Sequence, residues 1–173
     1  MRLKDLVYKE QQRQSISDVM SLLDGSLDEH LRNVLVARKI VEPEMAALAA
    51  QNAKEENLVA IRRVLEEMDR LTAEGKSMAP TDEPFHTEIA RASGNPIIES
   101  ILKIARTDQD HSPEIEYIIS SSVRKVPSDH WSIYKAIEEH NPEKAKKIMI
   151  RHIENIIQKL DEYEKNNQAN GES

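Results

Sequence analysis

A hydrophobic period close to 3.6 residues runs through almost the whole chain and sets the main limit on its fold. Apolar side chains recur three or four positions apart from Leu27 to Ala49, from Leu58 to Leu71 and from Ala145 to Leu160. Only 4 glycines occur in 173 residues, which also favours helix over sheet. No stretch shows convincing strand alternation. We therefore predict an all-α fold, an antiparallel bundle of about seven helices.

Prolines, glycines and polar clusters divide this pattern into separate helices. A long first helix contains Pro43, which should kink it or split it near Glu42. Pro84 should be tolerated because it falls in the first turn of its helix. Further helices are predicted at about 54–73, 80–93, 96–106, 113–124, 127–140 and 142–163.

The predicted helix boundaries divide the chain into three parts. Residues 1–25 should form a linker and a short helix around "SISDVMSLLDG", capped by Ser15 and ended by Gly25. Residues 26–165 form the main helical domain. Residues 166–173, the polar tail after the last apolar position, are predicted to be disordered.

Composition excludes several classes of function. A net charge of −7 and a pI near 5.4 make the chain a poor candidate for binding the DNA backbone directly. The absence of cysteine excludes both a disulfide framework and a thiolate zinc site. No run of eighteen apolar residues and no signal peptide is present, so we expect a cytoplasmic protein without membrane contact.

Three helices each direct one histidine toward the predicted core. His152 lies four positions from both Ile148 and Ile156 in the apolar stripe of the last helix. His130 precedes Ile133, Tyr134 and Ile137 at the same kind of spacing. His86 follows Asp82 by four residues, so both project from one helical face. The other histidines lie at a helix end, in a polar loop or beside a stripe without a partner.

A single inward histidine is more often a hydrogen-bonded core residue than a ligand. Three of them with a carboxylate favour a metal, because a cation would satisfy groups that are costly to bury alone. Asp82, His86, His130 and His152 are therefore the candidate ligands. Such a set suits Zn, Ni, Fe or Mn, with zinc or nickel preferred.

Two further polar residues interrupt the apolar pattern. Arg38 lies on the buried face with Glu42 one turn later, so it forms either an internal ion pair or a guanidinium facing a cavity. In the second case it would recognise a carboxylate. Asn95, after Ser-Gly, is either a helix cap or a ligand-binding side chain.

Three segments of the chain resemble the FCD domain, the C-terminal effector-binding domain of FadR-subfamily GntR transcriptional regulators. They are "ARKIVEPEMAALAA", "DEPFHTEIARASGNP" and "DHWSIYKAIEEHNPEKAKKIMIRHI", and the resemblance covers roughly residues 27–160 in the family's order. It implies that Asp82, His86, His130 and His152 bind a metal in the bundle interior. It also implies that Arg38 and Asn95 line the effector pocket.

The resemblance also implies which ligands and partner chains the protein binds. Such domains bind a small organic acid at the metal and form homodimers, and they are not enzymes. The family's winged helix-turn-helix domain has no counterpart before Arg38, where only a short helix and linker are predicted. We therefore expect this chain to be an excised or stand-alone sensor that would contact DNA only through a domain it lacks.

Two other functions stay open at the level of the residues. A helical metalloenzyme is one, although a di-iron site needs two Glu-x-x-His motifs and only Glu83 to His86 matches. Asp129-His130 reverses the order of a His-Asp phosphohydrolase dyad, which argues against a metal hydrolase of that kind. A metal-free helical interaction module with structural histidines is the other.

Overall fold

The computed structural model describes residues 27–106 and 125–171. Within these ranges it has six α-helices and no strand, which confirms the all-α prediction. The helices are α1 (Leu27–Asn52), α2 (Glu55–Ala73), α3 (Ala79–Ala92), α4 (Pro96–Arg106), α5 (Lys125–Glu138) and α6 (Pro142–Gly171). The predicted helices near Ser15 and at 113–124 lie outside the described residues.

The chain divides into two compact units, Met1–Asn33 and Val34–Ser173. Every residue of the candidate site belongs to the second unit. In that unit α2 packs against both α3 and α5, α3 packs against α4, and α5 packs against α6. Connections of two to five residues join α1 to α2, α2 to α3, α3 to α4 and α5 to α6. Short connections of this kind suit neighbouring helices of a bundle.

Helix α2 shows how the sequence produces this packing. Its buried side chains, Leu58, Ile61, Leu65 and Met68, recur at intervals of three and four residues and form one apolar stripe. The Oδ1 atom of Asn57 accepts a hydrogen bond of 3.0 Å from the backbone N–H of Lys54, which fixes the start of the helix.

The core of the second unit is built from large side chains with no exposed surface. They include Leu35, Met45, Ile61, Leu65, Met68, Phe85, Ile89, Ile133, Ile137 and Met149. Burying each such side chain stabilises the fold by about 1.5–3 kcal/mol before entropy is counted. The candidate metal ligands lie within this apolar interior. None of the described helices is both long and apolar enough to cross a membrane.

Neither Pro43 nor Pro84 ends its helix. Helix α1 continues unbroken through Pro43, so the predicted split does not occur. Proline removes one backbone donor, but the remaining hydrogen bonds of a 26-residue helix hold the two halves together. Helix α3 begins at Ala79, so Pro84 lies in its second turn and not in its first.

The last helix is longer than the sequence predicted. Helix α6 extends past Tyr163 to Gly171, through most of the segment expected to be disordered. No proline or glycine interrupts the polar stretch before Gly171, so no residue there opposes helix formation strongly. Helix α5 also begins slightly early, at Lys125 rather than Pro127.

Candidate functional site

Three helices bring four potential metal ligands together in the interior. Asp82 and His86 come from α3, His130 from α5 and His152 from α6. One ligand atom from each residue lies within 4.8 Å of those of the other three. The three imidazoles are essentially fully buried, and Asp82 retains 9% of its exposure. The cluster therefore combines a carboxylate with three imidazoles in an apolar environment.

The individual distances suit a shared cation. The Nε2 atoms of His130 and His152 are 3.3 Å apart. The Oδ1 atom of Asp82 lies 3.5 Å from Nε2 of His130 and 3.8 Å from Nε2 of His86. Donors held about 2.1 Å from one ion are about 3.0–3.5 Å from their neighbours. A small contraction of the cluster would bring all four donors within reach of one ion, so this cluster could hold a metal ion.

The protonation state of His152 also suits a metal. Burial is the main factor that lowers the pKa of His152 well below its usual value, and nearby His130 and His86 lower it further. His152 is therefore neutral at physiological pH. Neutral imidazole is the form of histidine that binds metal ions.

Two side chains contact His130 from the core. The ring of Phe85 stacks on the imidazole with centroids 4.2 Å apart. The sulfur of Met68, on α2, lies 3.3 Å from Nδ1 of His130. These contacts fix the plane of the imidazole and leave its Nε2 facing His152 and Asp82.

A buried ion pair adjoins the cluster on the side of α1. The Nε–H of Arg38 donates a hydrogen bond of 2.5 Å to Oε1 of Glu42. The second oxygen of Glu42, Oε2, lies 2.6 Å from Nδ1 of His86. Both Arg38 and Glu42 are buried, with 3% and 0% of their surface exposed. The internal ion pair considered for Arg38 is thus present.

The contact of Glu42 with His86 was missed by the sequence reasoning. The sequence indicates only a pairing of Glu42 with Arg38, because the two are one helical turn apart. His86 lies on another helix, and no local spacing connects it to Glu42. The only available signal in the sequence was the acidic residue Glu42 itself, on the buried face of α1.

Asn95 lies on the exposed connection between α3 and α4. Its Oδ1 accepts a hydrogen bond of 3.0 Å from the backbone N–H of Ile97. It therefore acts as a cap at the start of α4. Its additional role in binding an effector stays a prediction.

The other acidic residues considered for an enzyme lie outside the cluster. Glu83 accepts a hydrogen bond of 2.7 Å from the hydroxyl of Thr87 on its own helix. Asp129 is bound by Arg151 and Asn155 of α6. Neither carboxylate belongs to the group of ligands formed by Asp82 and the three histidines in the described ranges.

Comparison with known proteins identifies related sequences and structures. The FCD domain family matches residues 33–155. The HTH-type transcriptional regulator LutR of Bacillus subtilis is 27% identical over 160 residues, which cover 90% of this chain and 73% of LutR. The Exu regulon transcriptional regulator of Escherichia coli K12 is 28% identical over 129 residues, 70% of this chain and 48% of the regulator.

Two further proteins extend the comparison. The Uxu operon transcriptional regulator of Escherichia coli K12 is 27% identical over 137 residues, covering 75% of this chain and 53% of that protein. This chain thus spans about half the length of the two Escherichia coli regulators. A solved GntR structure from Streptococcus agalactiae has a TM-score of 0.67 at 23% identity, covering 80% of this chain and 64% of its own. That similarity shows a shared helical fold.

The family match covers most of the chain, and the matched region contains all four residues of the buried cluster. The FCD domain is a regulatory domain and not a catalytic one, and the similar sequences are named as transcriptional regulators. This chain belongs to the FCD domain family of GntR-type transcriptional regulators.

Proposed function

We propose that this chain is the effector-binding and dimerisation domain of a GntR-type regulator of the FadR subfamily, with a divalent metal at its centre. The observation that supports it most strongly is the cluster of four donors within 4.8 Å of one another. Asp82, His86, His130 and His152 would hold the ion. Zinc or nickel fits three imidazoles and a carboxylate well, and iron or manganese is also compatible. When bound, the ion supplies a Lewis-acidic centre that attracts a carboxylate.

The effector in this proposal is a small organic acid. Arg38 supports an acidic effector. The Nε–H of Arg38 donates to Glu42, while the buried Nη2 of Arg38 has no hydrogen-bond partner among the described residues. A buried guanidinium nitrogen without a partner is unfavourable, and an anionic ligand would satisfy it. Guanidinium also matches the geometry of a carboxylate well. Asn95 would contribute to the same pocket.

The proposed homodimer would form through apolar side chains that α1 and α4 expose. Helix α4 exposes Ile97 and Ile101 one turn apart, and α1 exposes Val36 and Ile40 in the same way. Burying such pairs between two chains would stabilise a homodimer. DNA contact is assigned to a winged helix-turn-helix domain, which the described helices do not contain.

Native mass spectrometry of gently purified protein tests these points together, since it reports bound metal, bound organic acid and the mass of the assembly. We expect one divalent ion per chain in the wild type. His130→Ala and His152→Ala should each lose most of the metal because each removes one of four donors. His140→Ala is the matched control, because His140 lies outside the cluster and bonds to a backbone carbonyl of α1.

A separate binding experiment tests the effector. A panel of hydroxy-, keto- and dicarboxylic acids is screened by thermal shift, and the best acid is titrated into wild type and Arg38→Met. Loss of a hydrogen bond to a charged group should weaken binding roughly tenfold or more. Full metal occupancy in both histidine variants would refute the metal assignment. Equal acid affinity in Arg38→Met would remove Arg38 from the pocket.

A further inference from the structure

Glu42 connects the two halves of the proposed site. One carboxylate oxygen accepts a hydrogen bond from Arg38, and the other lies 2.6 Å from Nδ1 of His86. Glu42 has no exposed surface, and it lies on a different helix from His86. A fully buried carboxylate between a guanidinium and an imidazole must keep a fixed orientation, because no water competes for either oxygen.

The position of Glu42 determines which nitrogen of His86 carries the proton. Neutral imidazole has one N–H donor and one nitrogen acceptor, and an ionised carboxylate can only accept. The 2.6 Å contact is too bent to count as a hydrogen bond in this structure, but a proton on Nδ1 lies nearest to Oε2 and leaves the lone pair of Nε2 directed toward the cluster. That same Nε2 lies 3.8 Å from the carboxylate oxygen of Asp82. Carboxylates that orient metal-binding histidines in this way raise the basicity of the ligand.

Arg38 sets the orientation of the Glu42 carboxylate. Its Nε–H donates to Oε1 and leaves Oε2 for His86. Arg38, Glu42 and His86 thus form a chain of contacts from the proposed effector pocket to the proposed metal ligand.

We propose that Glu42 is a positioning residue that holds His86 in the Nδ1–H tautomer required for metal binding. This inference rests on the proposed metal site, since it assigns Glu42 a role toward one of its ligands. Glu42 does not bind the metal itself in this proposal. It acts through His86, and its orientation is set by Arg38.

Glu42→Gln tests the proposal with little change in shape. The amide oxygen of Gln would have to accept from Arg38, because guanidinium has no acceptor. The amide nitrogen would then face His86 and donate to Nδ1, which would move the imidazole proton to Nε2. A protonated Nε2 cannot bind a metal. We expect the affinity for Zn²⁺, measured by competition with a chromophoric chelator, to fall at least 10- to 100-fold.

A matched control and a direct readout make the test specific. Glu44→Gln makes the same chemical change on the same helix, at an exposed residue paired with Lys146, and should leave Zn²⁺ affinity unchanged. Long-range ¹H–¹⁵N spectra of the metal-free protein report the tautomer of His86. Wild type should show a proton on Nδ1, and Glu42→Gln should show it on Nε2.

The outcomes separate this inference from the proposed function. Zn²⁺ binding by wild type with equal affinity in Glu42→Gln would overturn the role of Glu42 and leave the metal site intact. Wild type that binds none of Zn²⁺, Ni²⁺, Fe²⁺ and Mn²⁺ would overturn the proposed function. Should Glu42→Gln fail to fold, the wild-type spectrum still decides, because a proton on Nε2 of His86 contradicts the proposal.

Discussion

His86 uses its two ring nitrogens on opposite sides of the imidazole. Nδ1 lies against Glu42, while Nε2 faces Asp82 and the other histidines. His130 has the same division of roles, since its Nε2 faces the cluster and its Nδ1 faces the sulfur of Met68. A thioether is a weak acceptor compared with a carboxylate. At the scale of single residues, the two imidazoles are therefore oriented by groups of very different strength.

Met68→Leu removes the sulfur beside His130 at nearly constant volume. We expect a loss of Zn²⁺ affinity below tenfold, smaller than the effect of Glu42→Gln, because a thioether orients the imidazole only weakly. The free energy of unfolding should change by less than about 1.5 kcal/mol. Competition with a chromophoric chelator gives the affinity, and urea denaturation gives the stability.

Met45→Leu is the control for this substitution, since Met45 is equally buried on α1. It should leave Zn²⁺ affinity unchanged. An equal loss of affinity in Met45→Leu would show that the sulfur of Met68 has no specific effect on His130.

At the scale of the helices, α5 and α6 are joined beside the histidines that they contribute. The carboxylate of Asp129 accepts 2.9 Å and 3.2 Å hydrogen bonds from Arg151 and Asn155. Asp129 precedes His130, and Arg151 precedes His152. Asp129 is 7% exposed, whereas the side chain of Arg151 is 58% exposed, so only the carboxylate side of this contact is protected from water. It fixes how the two helices align.

Asp129→Ala should lower the free energy of unfolding by about 1–3 kcal/mol, because it removes two hydrogen bonds to a buried carboxylate. Urea denaturation followed by circular dichroism measures the change. Glu154→Ala provides the comparison, since Glu154 pairs with Lys39 in an exposed ion pair that should contribute less than about 1 kcal/mol. Equal losses in the two variants would contradict the role assigned to Asp129.

The sequence predicted those features of the helices that depend on local spacing. Periodicity located the core face of each helix, and it directed His86, His130 and His152 inward from their apolar neighbours. It could not predict the contact between Glu42 and His86, because that contact depends on how α1 packs against α3. For a similar reason, the sequence left open whether α1 kinks or splits at Pro43. Propensity describes one helix alone, whereas packing along its length decides whether it breaks.

At the scale of the whole molecule, the proposed metal would join three helices of one core. An ion that binds only the folded state stabilises it by mass action, by about 2.7 kcal/mol at 100 times the dissociation constant. For a domain of this size, that corresponds to an increase of roughly 5–10 °C in Tm. We expect scanning calorimetry to show this increase when Zn²⁺ is added to protein stripped with chelator.

His152→Ala is the control for the calorimetry, because it removes the ligand that α6 contributes. Its Tm should not respond to Zn²⁺, whatever its value without metal. A similar rise in Tm for this variant would mean that Zn²⁺ stabilises the protein from another site.

The four donors come from segments that are distant along the chain. His130 and His152 are 22 positions apart, and His86 and His130 are further apart still. Only Asp82 and His86 are neighbours before tertiary structure forms. An ion shared by all four donors would therefore be fully coordinated only late in folding, after α3, α5 and α6 have packed together. Its kinetic effect would fall mainly on unfolding, since interactions absent from the transition state slow the loss of the native state more than they speed its formation.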